Sequence, residues 1–232
     1  MSLFPCLFAQ ACFTNGYVVL GSLLGSIPCS LRVFRYNGTA DGPWELSMPA
    51  LNVIPLGIDS MTINLRNLSN QLRELKLNRN SLPFDFLCPL DEEGQPIIGS
   101  LQWPYLKTLE IEDVPPWLPS GKWICTHTAH RARIENGKCG GSVIDEEQFH
   151  RLLISVGYAT QRMPCLKEFH MGCYYRFYLY LQNNVGGSML QWQSHVEYQP
   201  DTRAAKAWKF DLDDVRVQST TPFSKCSVTL PR

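Results

Sequence analysis

The chain has 232 residues and carries 21 basic and 21 acidic side chains, so its formal net charge is zero. This balance excludes the broad basic field that is typical of nucleic-acid-binding proteins. A hydrophobic fraction of 44% is enough for a sizeable core and excludes wholesale disorder.

The first 30 residues are apolar and are assigned to no element. No Lys or Arg precedes Arg32, so the charged start of a signal peptide is missing, and Pro5, Gly16 and Pro28 interrupt any membrane-length apolar span. The nine cysteines form no Cys-x-x-Cys pair, and a chain of this length folds without disulfides. We expect an intracellular protein, cytoplasmic or nuclear, that binds no membrane. The alternative is a secreted or membrane-associated product led by residues 1–29.

One pattern of apolar residues recurs four times along the chain. A leucine is followed three residues later by an apolar side chain and, two residues further on, by another. The last two share one face of a strand, because a strand has a period of two. The copies are Leu31-x-x-Phe34-x-Tyr36, Leu72-x-x-Leu75-x-Leu77, Leu106-x-x-Leu109-x-Ile111 and Leu166-x-x-Phe169-x-Met171. This is the core pattern of leucine-rich repeats, and Asn80 and Leu82 extend it in the second copy.

Two helices are predicted in the intervals between these strands. The first covers about 58–70, with Met61, Leu65 and Leu68 on its buried face. The second follows Asp145, a suitable N-cap, and Pro164 ends it. Its apolar residues recur at helical spacing: Phe149, Leu152, Leu153, Val156 and Met163.

The C-terminal part of the chain predicts a hairpin and a short helix. Residues 176–181 alternate as a strand does, 183–187 have the composition of a turn, and 189–192 can return as the partner strand. Residues 204–208 are typical of a short helix. Beyond residue 211 the apolar pattern fades.

Together these elements predict an α/β fold: a short, irregular leucine-rich-repeat-like solenoid with strands on one face, helices on the other and a C-terminal β-hairpin cap. The domain covers 31–210. Residues 113–141 are rich in Pro and Gly and are expected to form a loop insert. Residues 211–232 are expected to be a poorly ordered tail.

A candidate partner-binding face follows from the same alternation. Residues between the buried positions point outward, and on solenoids such rows are the usual place for partner contacts. The candidates are Arg35, Asn37, Glu74, Lys76, Asn78, Thr108, Glu110, Glu112, Glu168 and His170. An equally simple interpretation is that this face is only solvated.

One cluster resembles a metal site. Cys125, His127, His130 and Cys139 offer the four ligands that tetrahedral zinc takes, although their spacing matches no zinc-finger pattern. A zinc-binding protein that uses residues 125–139 is therefore the alternative function. No nucleophile elbow and no phosphate-binding glycine loop is found, so neither an enzyme nor a cofactor is expected.

Four runs of the sequence resemble the C-terminal repeat region of filamentous-fungal F-box proteins. They are LSNQLRELKLNRNSLPFDFLCPLDEEG (68–94), WPYLKTLEIEDVPPWLPSGKW (103–123), DEEQFHRLLISVGYATQRMPCLKEF (145–169) and LQWQSHVEYQPDTRAAKAW (190–208). The resemblance covers about 60–210. It rests on a Pro-Leu-acidic segment, a Trp-Pro-x-Leu-x-x-Leu-x-Ile strand and a Pro-x-Gly-x-Trp loop in this order.

The resemblance implies a function in protein recognition. Such repeats bind the target of a cullin-type ubiquitin ligase, while an upstream F-box binds the ligase adaptor. No F-box pattern is found in this sequence, and residues 1–60 do not resemble the family. We therefore expect a non-catalytic protein-interaction domain whose front part is missing. Its target is unknown, and it contacts a cullin-ligase adaptor only if an F-box exists upstream.

Overall fold

The computed structural model of the protein describes residues 23–38, 59–80, 82–83, 85–97, 101–115, 146–173, 177–184, 187–194, 198–220 and 223–231. The strands in these residues are β1 Val33–Asn37, β2 Glu74–Asn78, β3 Thr108–Val114, β4 Glu168–Cys173, β5 Phe177–Asn184, β6 Gly187–Ser194, β7 Arg216–Thr220 and β8 Phe223–Leu230. The helices are α1 Ser60–Ser69, α2 Glu146–Thr160 and α3 Thr202–Trp208.

All eight strands form one mixed sheet, in the order β1-β2-β3-β4-β5-β6-β8-β7. The first four strands are parallel and lie side by side in chain order. From β4 onward each neighbouring pair is antiparallel. The predicted α/β class is therefore confirmed at the level of a partly parallel sheet with three helices in the described residues.

The four copies of the apolar pattern lie beside one another in the sheet. Each copy supplies one residue to each of two buried rows, because the strand register aligns equivalent positions. The rows are Phe34, Leu75, Leu109, Phe169 and Tyr36, Leu77, Ile111, Met171. The leading leucines Leu72, Leu106 and Leu166 are also buried, whereas Leu31 is half-buried. The repeated pattern therefore defines one continuous core.

The helices cover this core where the sequence predicts them. Asp59 accepts a hydrogen bond from the Thr62 amide and begins α1, whose buried face carries Met61, Leu65 and Leu68. Helix α2 covers most of its predicted range, although its expected N-cap, Asp145, lies outside the described residues. The predicted helix at 204–208 is α3, which begins two residues earlier.

Helices α2 and α3 pack closely at Gly157. The indole of Trp208, at the end of α3, lies against this glycine and donates a 2.9 Å hydrogen bond to the Leu153 carbonyl. A Cβ at Gly157 would lie 2.8 Å from Trp208 Cδ1 and 3.0 Å from the Ala207 carbonyl carbon. The two helices can approach this closely because the glycine has no side chain.

The C-terminal residues differ from the expectation. The predicted hairpin is present as β5 and β6, but β8 pairs with the outer side of β6, so the hairpin does not end the sheet. The prediction of a poorly ordered tail over 211–232 is wrong for the described residues, because β7 and β8 lie there. Cys226 and Val228 of β8 continue the buried rows, which explains why this segment is held.

Two further predictions concern segments that are only partly described. The expected insert over 113–141 begins inside β3, and residues 116–141 lie outside the described residues. Residues 1–22 of the apolar N-terminal segment also lie outside them. Within the part of the chain that is described, no helix has the length and apolar character needed to span a membrane.

Candidate protein-interaction face

The ten predicted surface residues lie on one side of the parallel strands. We call this side, formed by the outward residues of β1 to β4, the polar face. The register places Arg35, Lys76, Glu110 and His170 in one row across four strands. The opposite side of the same strands is buried against the core. The strands thus bring together residues that are far apart in the sequence.

Ion pairs connect neighbouring strands on the polar face. Arg35 Nε of β1 lies 2.7 Å from Glu74 Oε1 of β2, and the Arg35 side chain is 54% exposed. Lys76 of β2 donates to Glu110 of β3, and both side chains are more buried than that of Arg35. Exposed pairs of this kind contribute at most about 1 kcal/mol each, so their main effect is to orient the side chains.

An aromatic group continues the polar face onto β5. His170 of β4 lies opposite Tyr180 of β5, and their rings stack with centroids 4.5 Å apart. Tyr178 stands two residues before Tyr180, with ring centroids 6.5 Å apart. Burial raises the pKa of the Tyr180 hydroxyl, and the nearby Tyr178 and Glu112 raise it further. The predicted binding face did not include these tyrosines, although their spacing of two residues places them on one face of the predicted hairpin strand.

Carboxylates lie beside this aromatic group. Glu112 Oε1 of β3 is 3.4 Å from His170 Nδ1, while the other ring nitrogen of His170 is buried without a hydrogen-bond partner among the described residues. Glu168 lies on β4 and is exposed. Glu112 and Glu168 therefore lie on the same face as the tyrosines, on either side of His170 along the strand direction.

A bulge in β3 shapes one end of the polar face. The register between β3 and β4 shifts between Ile111 and Val114, and Asp113 has a φ of 49°. Arg79 follows β2 with a φ of 56°, and its amide donates to the Glu112 carbonyl at 2.9 Å. The Arg79 guanidinium lies 3.6 Å from the Asp113 carboxylate. Because a β-bulge re-aims the adjacent side chains, the extra residue fixes where Glu112 stands.

Gly38 closes the same end of the sheet. Its amide donates to the Asn78 carbonyl at 2.8 Å, and a Cβ at this position would lie 2.5 Å from the Arg79 carbonyl oxygen. A side chain would therefore push the end of β1 away from β2. The close approach explains why a glycine follows Asn37 of the polar face.

The other candidate sites stand apart from the polar face. The possible zinc ligands Cys125, His127, His130 and Cys139 lie outside the described residues. Among the residues that are described, no group of three or more His, Cys, Asp or Glu side chains could hold a metal ion. A surface pocket of about 460 Å³ lies at the opposite end of the sheet and is lined by Met189, Asp213, Asp214, Arg216, Ser227, Val228 and Thr229.

The comparisons with known proteins give no relative for this chain. No protein-family model matches it, and no curated protein or solved structure is significantly similar to it. The interpretation of the polar face therefore depends on its own geometry.

Proposed function

We propose that this chain is a leucine-rich-repeat-like domain without catalysis of its own, and that its polar face binds a partner protein. The observation that carries the proposal is the alignment of four parallel strands in chain order, with equivalent outward residues in adjacent rows. Repeat proteins use such rows as extended binding surfaces, because each repeat presents its side chains at the same position.

The packing of the sheet supports this proposal. The buried rows on the helix side hold the strands rigidly, since Leu75 and Leu109 are fully buried. The ion pairs across β1, β2 and β3 order the outward side chains before any partner arrives. Ordered side chains lose less conformational entropy on binding, so a partner would gain more from each contact.

The resemblance to fungal F-box proteins suggests why this chain would bind a partner protein. In that interpretation, the polar face holds a target protein while another subunit of a cullin-type ligase transfers ubiquitin to it. The proposal of ligase coupling can be tested separately, because it requires binding to the cullin adaptor. Co-purification of the adaptor with the protein tagged at its genomic locus, so that any upstream F-box is included, supports coupling, whereas its absence contradicts coupling and leaves the partner-binding proposal intact.

Charge reversal at Lys76 tests the binding face. In Lys76→Glu a second carboxylate would stand beside Glu110, so the two side chains would repel each other instead of forming an ion pair. Lys206→Glu on the exposed side of α3 makes the same change of charge away from the sheet and is the matched control. Circular dichroism and thermal unfolding verify that both variants fold.

The measurement is quantitative capture of proteins from a fungal cell extract by the immobilised chain. We expect at least one captured protein to be reduced about ten-fold by Lys76→Glu and to be unchanged by Lys206→Glu. If both variants capture the same proteins as the unaltered chain, the polar face is not a binding surface.

A further inference from the structure

The tyrosines next to the polar face are held in a defined orientation. The imidazole of His170 stacks on Tyr180 with an angle of 11° between the ring planes, so it covers one face of that ring. The Tyr178 ring lies over Gly172, where an added Cβ would be 3.4 Å from its Cδ1 atom. Both tyrosines therefore pack against β4, and their rings stack on each other with centroids 6.5 Å apart. Tyr180 is 39% exposed.

The carboxylates beside these rings lack a permanent cation. Glu74 and Glu110 are paired with Arg35 and Lys76. Glu112 contacts an imidazole, which is charged only when protonated, and Glu168 forms no ion pair with any described residue. Negative charge on this part of the polar face is therefore uncompensated within the described chain.

A partly exposed tyrosine beside carboxylates that have no permanent cation is complementary to an organic cation. A guanidinium or ammonium group is attracted to the face of a tyrosine, and it forms charge-assisted hydrogen bonds with a carboxylate. We propose that the aromatic–acid cluster, formed by Glu112, Glu168, His170, Tyr178 and Tyr180, receives an arginine or lysine side chain of the partner protein. This inference rests on the proposed function of the polar face.

Selection of peptides tests the inference without knowledge of the natural partner. A random dodecamer display library is selected on the immobilised chain, and affinities of the selected peptides are measured by fluorescence polarisation. We expect one arginine or lysine to recur. Replacing an arginine by citrulline, which is neutral and of similar shape, should weaken binding about ten-fold or more.

Variants of the cluster locate the contact. Glu112→Gln and Tyr180→Leu should each weaken the selected peptides several-fold, whereas Tyr180→Phe retains the aromatic face and should preserve most of the affinity. Gln218→Leu, an exposed position on β7 at the opposite edge of the sheet from β1, is the matched control and should have no effect. Thermal unfolding verifies that each variant folds.

The outcomes separate this inference from the proposed function. Peptides that lose affinity with Lys76→Glu but not with Glu112→Gln or Tyr180→Leu overturn the cation site and leave the binding face intact. Peptides that respond to none of these changes overturn both. A library that yields no peptide dependent on an arginine or lysine also overturns the cation site.

Discussion

Replacing Gly157 by Ala has two opposing effects on the free energy of unfolding. Alanine in a helix is favoured over glycine by about 1 kcal/mol, through helix propensity and the smaller entropy of the unfolded chain. Against this, the new Cβ would lie 2.8 Å from Trp208 Cδ1, 2.9 Å from its Nε1 and 3.0 Å from the Ala207 carbonyl carbon. Ordinary contacts need at least half an ångström more, so α3 must move.

The expected balance is a loss of stability. Overpacking of a core contact costs about 1–3 kcal/mol, and displacement of the indole also weakens its hydrogen bond to Leu153, which contributes about 1 kcal/mol. The net cost is therefore about 1–3 kcal/mol. For a chain of this size each kcal/mol lowers the melting temperature by roughly 2–4 °C.

Urea unfolding of Gly157→Ala measures this balance. Asn67→Ala on the exposed side of α1 is the control, and it should show only the small gain in helix propensity. In a Trp208→Phe background the cost of Gly157→Ala should fall below about 1 kcal/mol, because two of the three close contacts are with the indole. A gain in stability for Gly157→Ala in the unaltered chain would refute the close packing of α2 on α3.

Three further predictions concern a hydrogen bond, an ion pair and a thiol. The buried Ser69 hydroxyl accepts a 2.6 Å hydrogen bond from the Trp103 indole, so Ser69→Ala should cost about 1–3 kcal/mol by urea unfolding, and distinctly less in a Trp103→Phe background. Arg203 forms a bidentate pair with Glu147 and lowers the pKa of that carboxyl from 4.5. The stability from this pair is present above pH 4.5 and is lost as the pH falls through the lowered pKa, so Glu147→Gln and the unaltered chain should converge in stability in acid; a constant difference would contradict this. Burial raises the pKa of the Cys173 thiol to about 12, so peptide mapping after maleimide treatment at neutral pH should show labelling only after denaturation.

Periodicity was sufficient to predict the parallel half of the sheet. Leu75 and Leu77, or Leu109 and Ile111, reveal a strand because burial of one face requires apolar residues two positions apart. Helix α1 was predictable for the same reason, since its apolar residues recur at helical spacing. In these elements the spacing of apolar residues in the sequence therefore agrees with the burial seen in the structure.

Strands β7 and β8 were not predictable from the spacing of apolar residues. Among the residues of strand β8 whose burial is described, Cys226 and Val228 are below 9% exposure, and Leu230 is partly buried. It is held by these buried side chains together with its pairing to β6, and the position of β6 is set by the hairpin. Such long-range pairing leaves little trace in the segment that it orders.

The candidate face was predictable only as a set of positions. Alternation identifies outward residues such as Lys76 and Glu110, but their contact depends on the register between strands that are distant in sequence. The bulge at Asp113 and the stacking of Tyr180 on His170 also depend on neighbouring strands. Sequence patterns therefore predict which side chains are exposed, whereas the fold determines which of them meet.

Strand pairing changes from parallel to antiparallel at β4. The two halves of the sheet also differ in the length of chain that separates paired strands. The chain runs only from Asn184 to Gly187 before β6 meets β5, but from Val114 to Glu168 before β4 meets β3. Loop-closure entropy grows with the logarithm of this length, and proteins rich in local contacts fold faster. We therefore expect the antiparallel half to form first and to present β4 as the edge on which β3, β2 and β1 assemble. Strands β1 to β3, which carry most of the polar face, would then be the last part of the sheet to become ordered.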